Sequence, residues 1–147
     1  MAAISVRLAS RPHKVKEEVV SVVSKLDHKL FPGVPDYYDK TYWWLATLDG
    51  ELAGYAGMRY LANEDYGYFS RAGVLKPYRR KGVHRKLITA RLSYAKRQGW
   101  SGVLTYALQT NYPSINSLMS MGFKMYSPDY AWAGASFSYF RFDLKKA

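Results

Sequence analysis

The chemistry in this chain concentrates in one run, Val74-Leu75-Lys76-Pro77-Tyr78-Arg79-Arg80-Lys81-Gly82-Val83-His84. A strand-like stretch leads into a tight basic turn, and Gly82 opens a helical pattern. Such a turn presents free backbone N–H groups and the positive end of a helix dipole at one point. That is a physical anion site, suited to a phosphate or pyrophosphate. The same residues also fit a plainer role, with Gly82 as an N-cap and the Arg/Lys run as a solvated face. Other chemistries find little material. Zero cysteines remove disulfides, thiolate metal sites and a Cys nucleophile together. His13, His28 and His84 are far apart and show no metal-ligand spacing, so no metal is expected.

The basic turn lies within a larger electrostatic feature. The chain has 147 residues, one domain's worth, with a formal net charge of +11. Residues 66–128 hold eleven Lys and Arg and no Asp or Glu, while the rest of the chain carries eleven of each sign. The whole net charge therefore belongs to that block. At 48% hydrophobic and 16% aromatic, the chain can bury a core and falls outside the disordered class. Met1 to Ser10 is too polar for a signal sequence, and no apolar run approaches the roughly 20 residues of a membrane span. These features predict a soluble, cytoplasmic protein with no membrane partner.

The positioning elements follow from periodicity. No repeat or linker interrupts the chain, which predicts a single domain over residues 1–147. Ile4, Val6 and Leu8 alternate as a strand, and Ser10-Arg11-Pro12 is a plausible helix start before Val15, Val19, Val22, Val23 and Leu26. Pro32, Gly33 and Pro35 end that helix near Phe31, and Asp36 to Thr41 is a loop or short helical turn. Tyr42 to Leu48 and Glu51 to Tyr60 are strands joined by Asp49-Gly50, a dipeptide that readily adopts the positive φ angles of a tight hairpin. Tyr66 to Leu75 adds a third strand after Asn63-Glu64-Asp65. Gly82 to Gln98 is helical, with Val83, Leu87, Ile88, Ala90, Leu92, Tyr94 and Ala95 on one face and Gly99 as its stop.

Gly102 to Gln109 is a strand that must run parallel to Tyr66–Leu75, because a helix connects them. Ser114 to Met121 is a short helix, with Gly122 as terminator and Phe123 as a core aromatic. Strands at Phe123 to Tyr126 and Ser136 to Leu144 complete the order β-α-β-β-β-α-β-α-β-β. The fold class is α+β, a mostly antiparallel sheet with one parallel step, flanked by helices.

Here the sequence resembles the GNAT superfamily of acyl-CoA-dependent N-acetyltransferases, whose signature is a strand ending in Val and then R/Q-x-x-G-x-G/A opening a helix. Arg79 and Gly82 match, with Val74 five residues before Arg79. The run from Asn111 to Phe123 is similar to the family's N-x-x-[AS] helix ending in Gly-Phe. Trp43-Trp44-Leu45-Ala46 with Asp49 to Tyr55 is similar to its second and third strands. The three islands cover roughly residues 41 to 123.

The resemblance implies acetyl-CoA as cosubstrate. The backbone at Val74 and Leu75 would pair with the pantetheine arm, and the amides from Arg79 through Arg80, Lys81, Gly82 and Val83 to His84 would hold the pyrophosphate. Arg79, Arg80 or Lys81 would add charge-assisted contacts. Asn111 would contact the cofactor, or is simply an N-cap before Pro113. Two positions depart from the pattern: His84 replaces a small residue, and Leu118 stands where many members place the tyrosine that protonates the leaving thiolate. Attack on a thioester needs a neutral amine, hence a base. The nearest acids in sequence are Glu64 and Asp65, with Asp36, Asp39 and Asp129 on loops and a water relay as the alternative. Tyr112 and Tyr126 are the acid candidates, and Ser117 is placed to order a water.

The implied activity is acetyl transfer to a primary amine of a small molecule or protein. Two alternatives remain open. One is a toxin-type enzyme acting on aminoacyl-tRNA, which the surplus basic surface would suit as it would an acidic partner. The other is a non-catalytic module that kept the fold and binds CoA, nucleic acid or protein. The acceptor is not legible in the sequence, and monomer and homodimer are equally compatible with it.

Overall fold

A computed structural model describes residues 3–34 and 36–145, so Pro35 lies outside the described residues. The elements are β1 (Ile4–Ser10), α1 (Glu17–Leu30), a 3-10 turn at Tyr38–Lys40, β2 (Tyr42–Leu48), β3 (Glu51–Leu61) and β4 (Tyr66–Val74). A second 3-10 turn at Lys76–Tyr78 leads to α2 (Val83–Gln98), β5 (Gly102–Leu108), α3 (Tyr112–Ser120), β6 (Lys124–Tyr126) and β7 (Phe137–Asp143). One seven-stranded mixed sheet has the order β1-β2-β3-β4-β5-β7-β6. The expected α+β class and element order are both present.

Periodicity placed α1 too early. Its first helical residue is Glu17, because Arg11 and Lys14 form an isolated bridge that closes a turn. Ser10 caps nothing; its hydroxyl accepts the Lys16 N–H at 3.0 Å and ties that turn to the end of β1. The Asp49-Gly50 hairpin forms as its chemistry predicts, with φ of 51° and 84°. Asp49 then fixes the hairpin to β1, donating its N–H to the Ala3 carbonyl and accepting the Ala3 N–H, each at 2.8 Å.

The contacts group the chain into two compact units. The first comprises Met1–Arg59 and Phe69–Ser93. Its core joins Val19 and Val23 of α1 to Ala9, Trp43, Leu45 and Tyr55 on β1, β2 and β3. Burying such side chains contributes roughly 1.5–3 kcal/mol each. The second comprises Tyr60–Tyr68 and Tyr94–Ala147. There β4 and β5 pair in parallel at Tyr66↔Gly102, Gly67↔Val103 and Tyr68↔Leu104, and β5 pairs antiparallel with β7. Trp100 stacks on Tyr60 at 4.5 Å, and Phe123 is buried edge-on to Phe142. Gly122 adopts φ 103° just beyond the end of α3, the terminator role expected of it. No helix among the described residues is long and apolar enough to cross a membrane.

Candidate cofactor-binding site

β4 ends at Val74, and Leu75 continues in extended geometry into the 3-10 turn that Pro77 helps to set. Tyr78 donates its N–H to the Leu75 carbonyl at 2.9 Å and its hydroxyl to Glu51 at 3.0 Å. The Arg79 Nε–H returns to the Val74 carbonyl at 2.9 Å and closes the turn upon itself. Two residues then enter the left-handed region, Arg80 at φ 62° and Gly82 at φ 90°. For a non-glycine residue such as Arg80 this costs about 1–2 kcal/mol, and strain of this kind is characteristic of ligand clamps.

The result is a donor cradle at the start of α2. Among the described residues, the backbone N–H groups of Lys81, Gly82, Val83 and His84 have no hydrogen-bond partner. They stand at the positive end of a 16-residue helix, beside the exposed side chains of Arg80 and Lys81. This donor set fits a pyrophosphate, and no carboxylate in the acid-free block competes with it. Position matters as much as composition. A Cβ on Gly54 of β3 would lie 2.8 Å from the Gly73 carbonyl oxygen and 3.4 Å from Val83 Cγ1, so only glycine there lets β3, β4 and the start of α2 approach this closely.

The other expected site residues fall in varied surroundings. Val74 and Leu75 are partly committed to the protein. The Val74 carbonyl accepts Arg79, and the Leu75 N–H donates to the Ala53 carbonyl at 2.8 Å. Val83 is buried, so only its backbone faces the cradle. His84 is half-buried, and its imidazole pKa is pulled from 6.5 to about 4, first by burial and then by the charge of Arg91. It is neutral at physiological pH and adds no charge to the turn. Asn111 N-caps α3, its side chain accepting the Ser114 N–H at 3.4 Å.

Glu64 is exposed in the β3–β4 turn. Asp65 sits at φ 58° and accepts hydrogen bonds from Tyr60 Oη at 2.6 Å and Ser101 Oγ at 2.8 Å, with Lys145 Nζ at 3.6 Å. Those hydrogen bonds hold its carboxyl below the usual carboxylate range, with the Tyr60 bond the largest cause. Tyr112 is exposed at the start of α3, Tyr126 packs under Arg141 at 5.5 Å, and Leu118 is buried.

A second polar cluster has no counterpart in the motif. Asp27 on α1 is fully buried and accepts from Tyr55 Oη at 2.6 Å, Tyr38 Oη at 2.7 Å and Arg71 at 3.0 Å. Burial, then the bond to Asp27, pushes the Tyr38 hydroxyl pKa up to about 12 and raises that of Tyr55 further. Arg91 on α2 is likewise buried, donating to the Leu87 and Gly57 carbonyls at 3.2 and 3.1 Å with its guanidinium 3.7 Å from the centre of the Phe69 ring. The available signal was spacing. Asp27 continues the Val19, Val23 series at four-residue steps, and Arg91 lies four residues beyond Leu87.

A family model described as acetyltransferase (GNAT) matches residues 15–123, and the chain belongs to that family. No protein of curated description matches the sequence. Among solved structures, the chain is similar to the ribosomal-protein-S18-alanine N-acetyltransferase of Escherichia coli, at 15% identity and TM-score 0.73 over 100% of this chain and 96% of that one. Arabidopsis thaliana NAA60 in complex with acetyl-CoA is similar at 19% identity and TM-score 0.74, over 97% and 99%. The putative acetyltransferase yncA of Salmonella typhimurium, with acetyl-CoA as its cofactor, is similar at 16% identity and TM-score 0.72, over 99% and 96%. These likenesses establish the fold.

Proposed function

We propose that residues 1–147 form one acyl-CoA N-acyltransferase domain that transfers acetyl from acetyl-CoA directly to a primary amine of a small molecule or protein. The observation that carries this reading is the cradle of four unpartnered amides, Lys81 to His84, at the start of α2. Family membership supports it, as do two similar structures that hold acetyl-CoA. Lys81 to His84 would hold the pyrophosphate through backbone donors, with Arg80 and Lys81 adding charge from the rim.

Direct transfer needs no enzyme nucleophile, in keeping with a chain that has no cysteine. The attacking nitrogen loses a proton as the C–N bond forms, and the coenzyme leaves as its thiolate when the C–S bond breaks. Asp65 is engaged by Tyr60, Ser101 and Lys145, so this reading assigns the amine proton to Glu64 or to a water relay. Bringing both reactants together supplies much of the rate.

Thermal unfolding with and without acetyl-CoA, alongside thiol release over an amine panel, tests the proposal. A ligand that binds only the folded state adds about 2.7 kcal/mol at a hundred times its Kd. Acetyl-CoA should therefore raise Tm, and Gly82→Glu should abolish the rise. If acetyl-CoA leaves Tm unchanged and Gly82→Glu alters nothing, the reading fails.

A further inference from the structure

The second unit contains a cavity that the phosphate cradle does not explain. β6 pairs with β7 through Lys124↔Arg141, Met125↔Phe140 and Tyr126↔Tyr139, and beyond Tyr126 the two segments part. Residues 127–136 loop out before the chain returns at Phe137. Between this loop and its strands lies a cavity of about 400 Å³, whose walls include Met125, Tyr126, Ser127, Pro128, Phe137 and Tyr139. Those walls are held by the protein itself. The Tyr139 hydroxyl accepts the Ala133 and Gly134 N–H groups at 2.9 Å each and donates to the Gly134 carbonyl at 2.8 Å. Gln109, just past β5, donates its N–H to the Ser136 carbonyl at 3.1 Å and its side-chain amide to the Ala135 carbonyl at 3.2 Å. Trp132 packs on Tyr139 at 5.0 Å, and Phe137 stands edge-on to Tyr106 at 4.8 Å. Loop and strands are thus fixed before a ligand arrives, which lowers the ordering cost of binding.

The lining defines the occupant. A void of about 150 Å³ holds a benzene ring, so about 400 Å³ admits a substituted ring or a fused pair. Tyr126, Phe137, Tyr139 and the Met125 thioether all border the open space, and ring–ring and sulfur–ring contacts favour an arene over a plain alkyl chain. Among the described residues, no charged side chain lines it. Asp129, the acid of the loop, and Lys124 of β6 are exposed, while Arg141 lies 5.5 Å from the Tyr126 ring with its Nε 3.5 Å from Asp143. None of these borders the cavity, and a charge taken out of water without a partner is costly. Ser127 and Ser138 bring hydroxyls to the lining, which gives one hydrogen-bonding group on the ring a place.

We infer that the cavity between the β6–β7 loop and its strands binds an uncharged arene bearing one hydrogen-bonding group, of the size of a simple phenol or indole. The inference stands on the second unit alone and does not use the coenzyme, so it and the acetyltransferase reading fail separately. The full chain is titrated with 4-methylphenol, which is neutral at pH 7, and with 4-methylbenzoate and 4-methylbenzylammonium as its charged counterparts. A ring seated in the cavity shifts the Met125 methyl resonance, assigned by its loss in Met125→Leu. Met58, fully buried in the first unit, is the internal control.

A saturable shift of Met125 with Met58 unmoved is expected for the phenol, and both ions should bind about tenfold more weakly. Ser127→Phe puts a ring into the space from an exposed position, so it should weaken phenol binding about tenfold and leave Tm unchanged. Phe137→Leu removes a wall ring and should weaken binding severalfold; where that variant does not fold, Ser127→Phe decides. Ions that bind as tightly as the phenol, a Met125 methyl that does not move, or binding unchanged by Ser127→Phe would overturn the inference.

Discussion

Asp27 and His84 show how burial sets the behaviour of single groups. Asp27 accepts two tyrosine hydroxyls and a guanidinium inside the first unit. Asp27→Ala leaves both hydroxyls without their acceptor and takes from Arg71 one of its partners, with the Val34 carbonyl and Asp36 remaining, and removing one partner of a buried pair costs about 3–5 kcal/mol. Urea unfolding should register that loss, while Tyr55→Phe should cost only about 1–3 kcal/mol. His84 works through pH. Its folded pKa of about 4 lies below the ordinary 6.5, so between those values the unfolded chain binds more protons than the folded one. Stability therefore rises with pH across that window and falls as pH drops from 6.5 toward 4. His84→Gln should flatten this part of the stability profile, measured by denaturant midpoint against pH, and an unchanged slope would refute the assignment.

At the scale of elements, glycines and one buried cation govern how helices meet strands. Gly54→Ala would drive a methyl to 2.8 Å from the Gly73 carbonyl oxygen, a backbone atom that cannot swing aside. Overpacking of this kind costs about 1–3 kcal/mol. Because the displaced segments carry Val83, acetyl-CoA affinity should fall with stability. Gly82 makes an informative contrast. A Cβ there meets only Ile4 Cδ1 at 3.8 Å, yet φ is 90°, so Gly82→Ala should lose about 1–2 kcal/mol through backbone strain and not through collision. Arg91 ties α2 to β3 through the Gly57 carbonyl. Arg91→Met refills the space and forfeits the hydrogen bonds to the Gly57 and Leu87 carbonyls and the cation on Phe69, about 1–3 kcal/mol, whereas Arg91→Ala adds a cavity and should cost about 3–5 kcal/mol. Equal losses for the two would show that the cation and not its volume matters.

Across the whole molecule, the structure divides the positive block by burial. Of its eleven cations, Arg71 pairs with Asp27 and Arg91 is buried on Phe69, while Lys76, Arg79, Arg80, Lys81, Arg85 and Lys86 are exposed around the start of α2. Exposed charges act through a screened field, with a Debye length of about 10 Å at 0.1 M salt and about 3 Å at 1 M. Coenzyme A carries about four negative charges near neutral pH. Acetyl-CoA affinity should therefore weaken severalfold between 0.05 and about 0.5 M salt, measured by calorimetry. An affinity indifferent to salt would assign binding to the backbone amides alone.

Local patterns were enough for the element order, the Asp49-Gly50 hairpin, the parallel step across α2 and the tight basic turn at Gly82, because each rests on spacing or turn chemistry within a few residues. They misplaced the start of α1, since Ser10 bonds to Lys16 across a turn that no helical period describes. Only tertiary structure decided which polar groups are buried and which aromatic rings converge. Asp27 meets Tyr55 and Arg71, 28 and 44 residues away, and Trp132 meets Tyr68 and Tyr106 from a different loop. A period shows that a side chain faces inward. Its partner is set by how distant segments return to the same place, and that return is what distinguishes a buried ion pair from a surface charge.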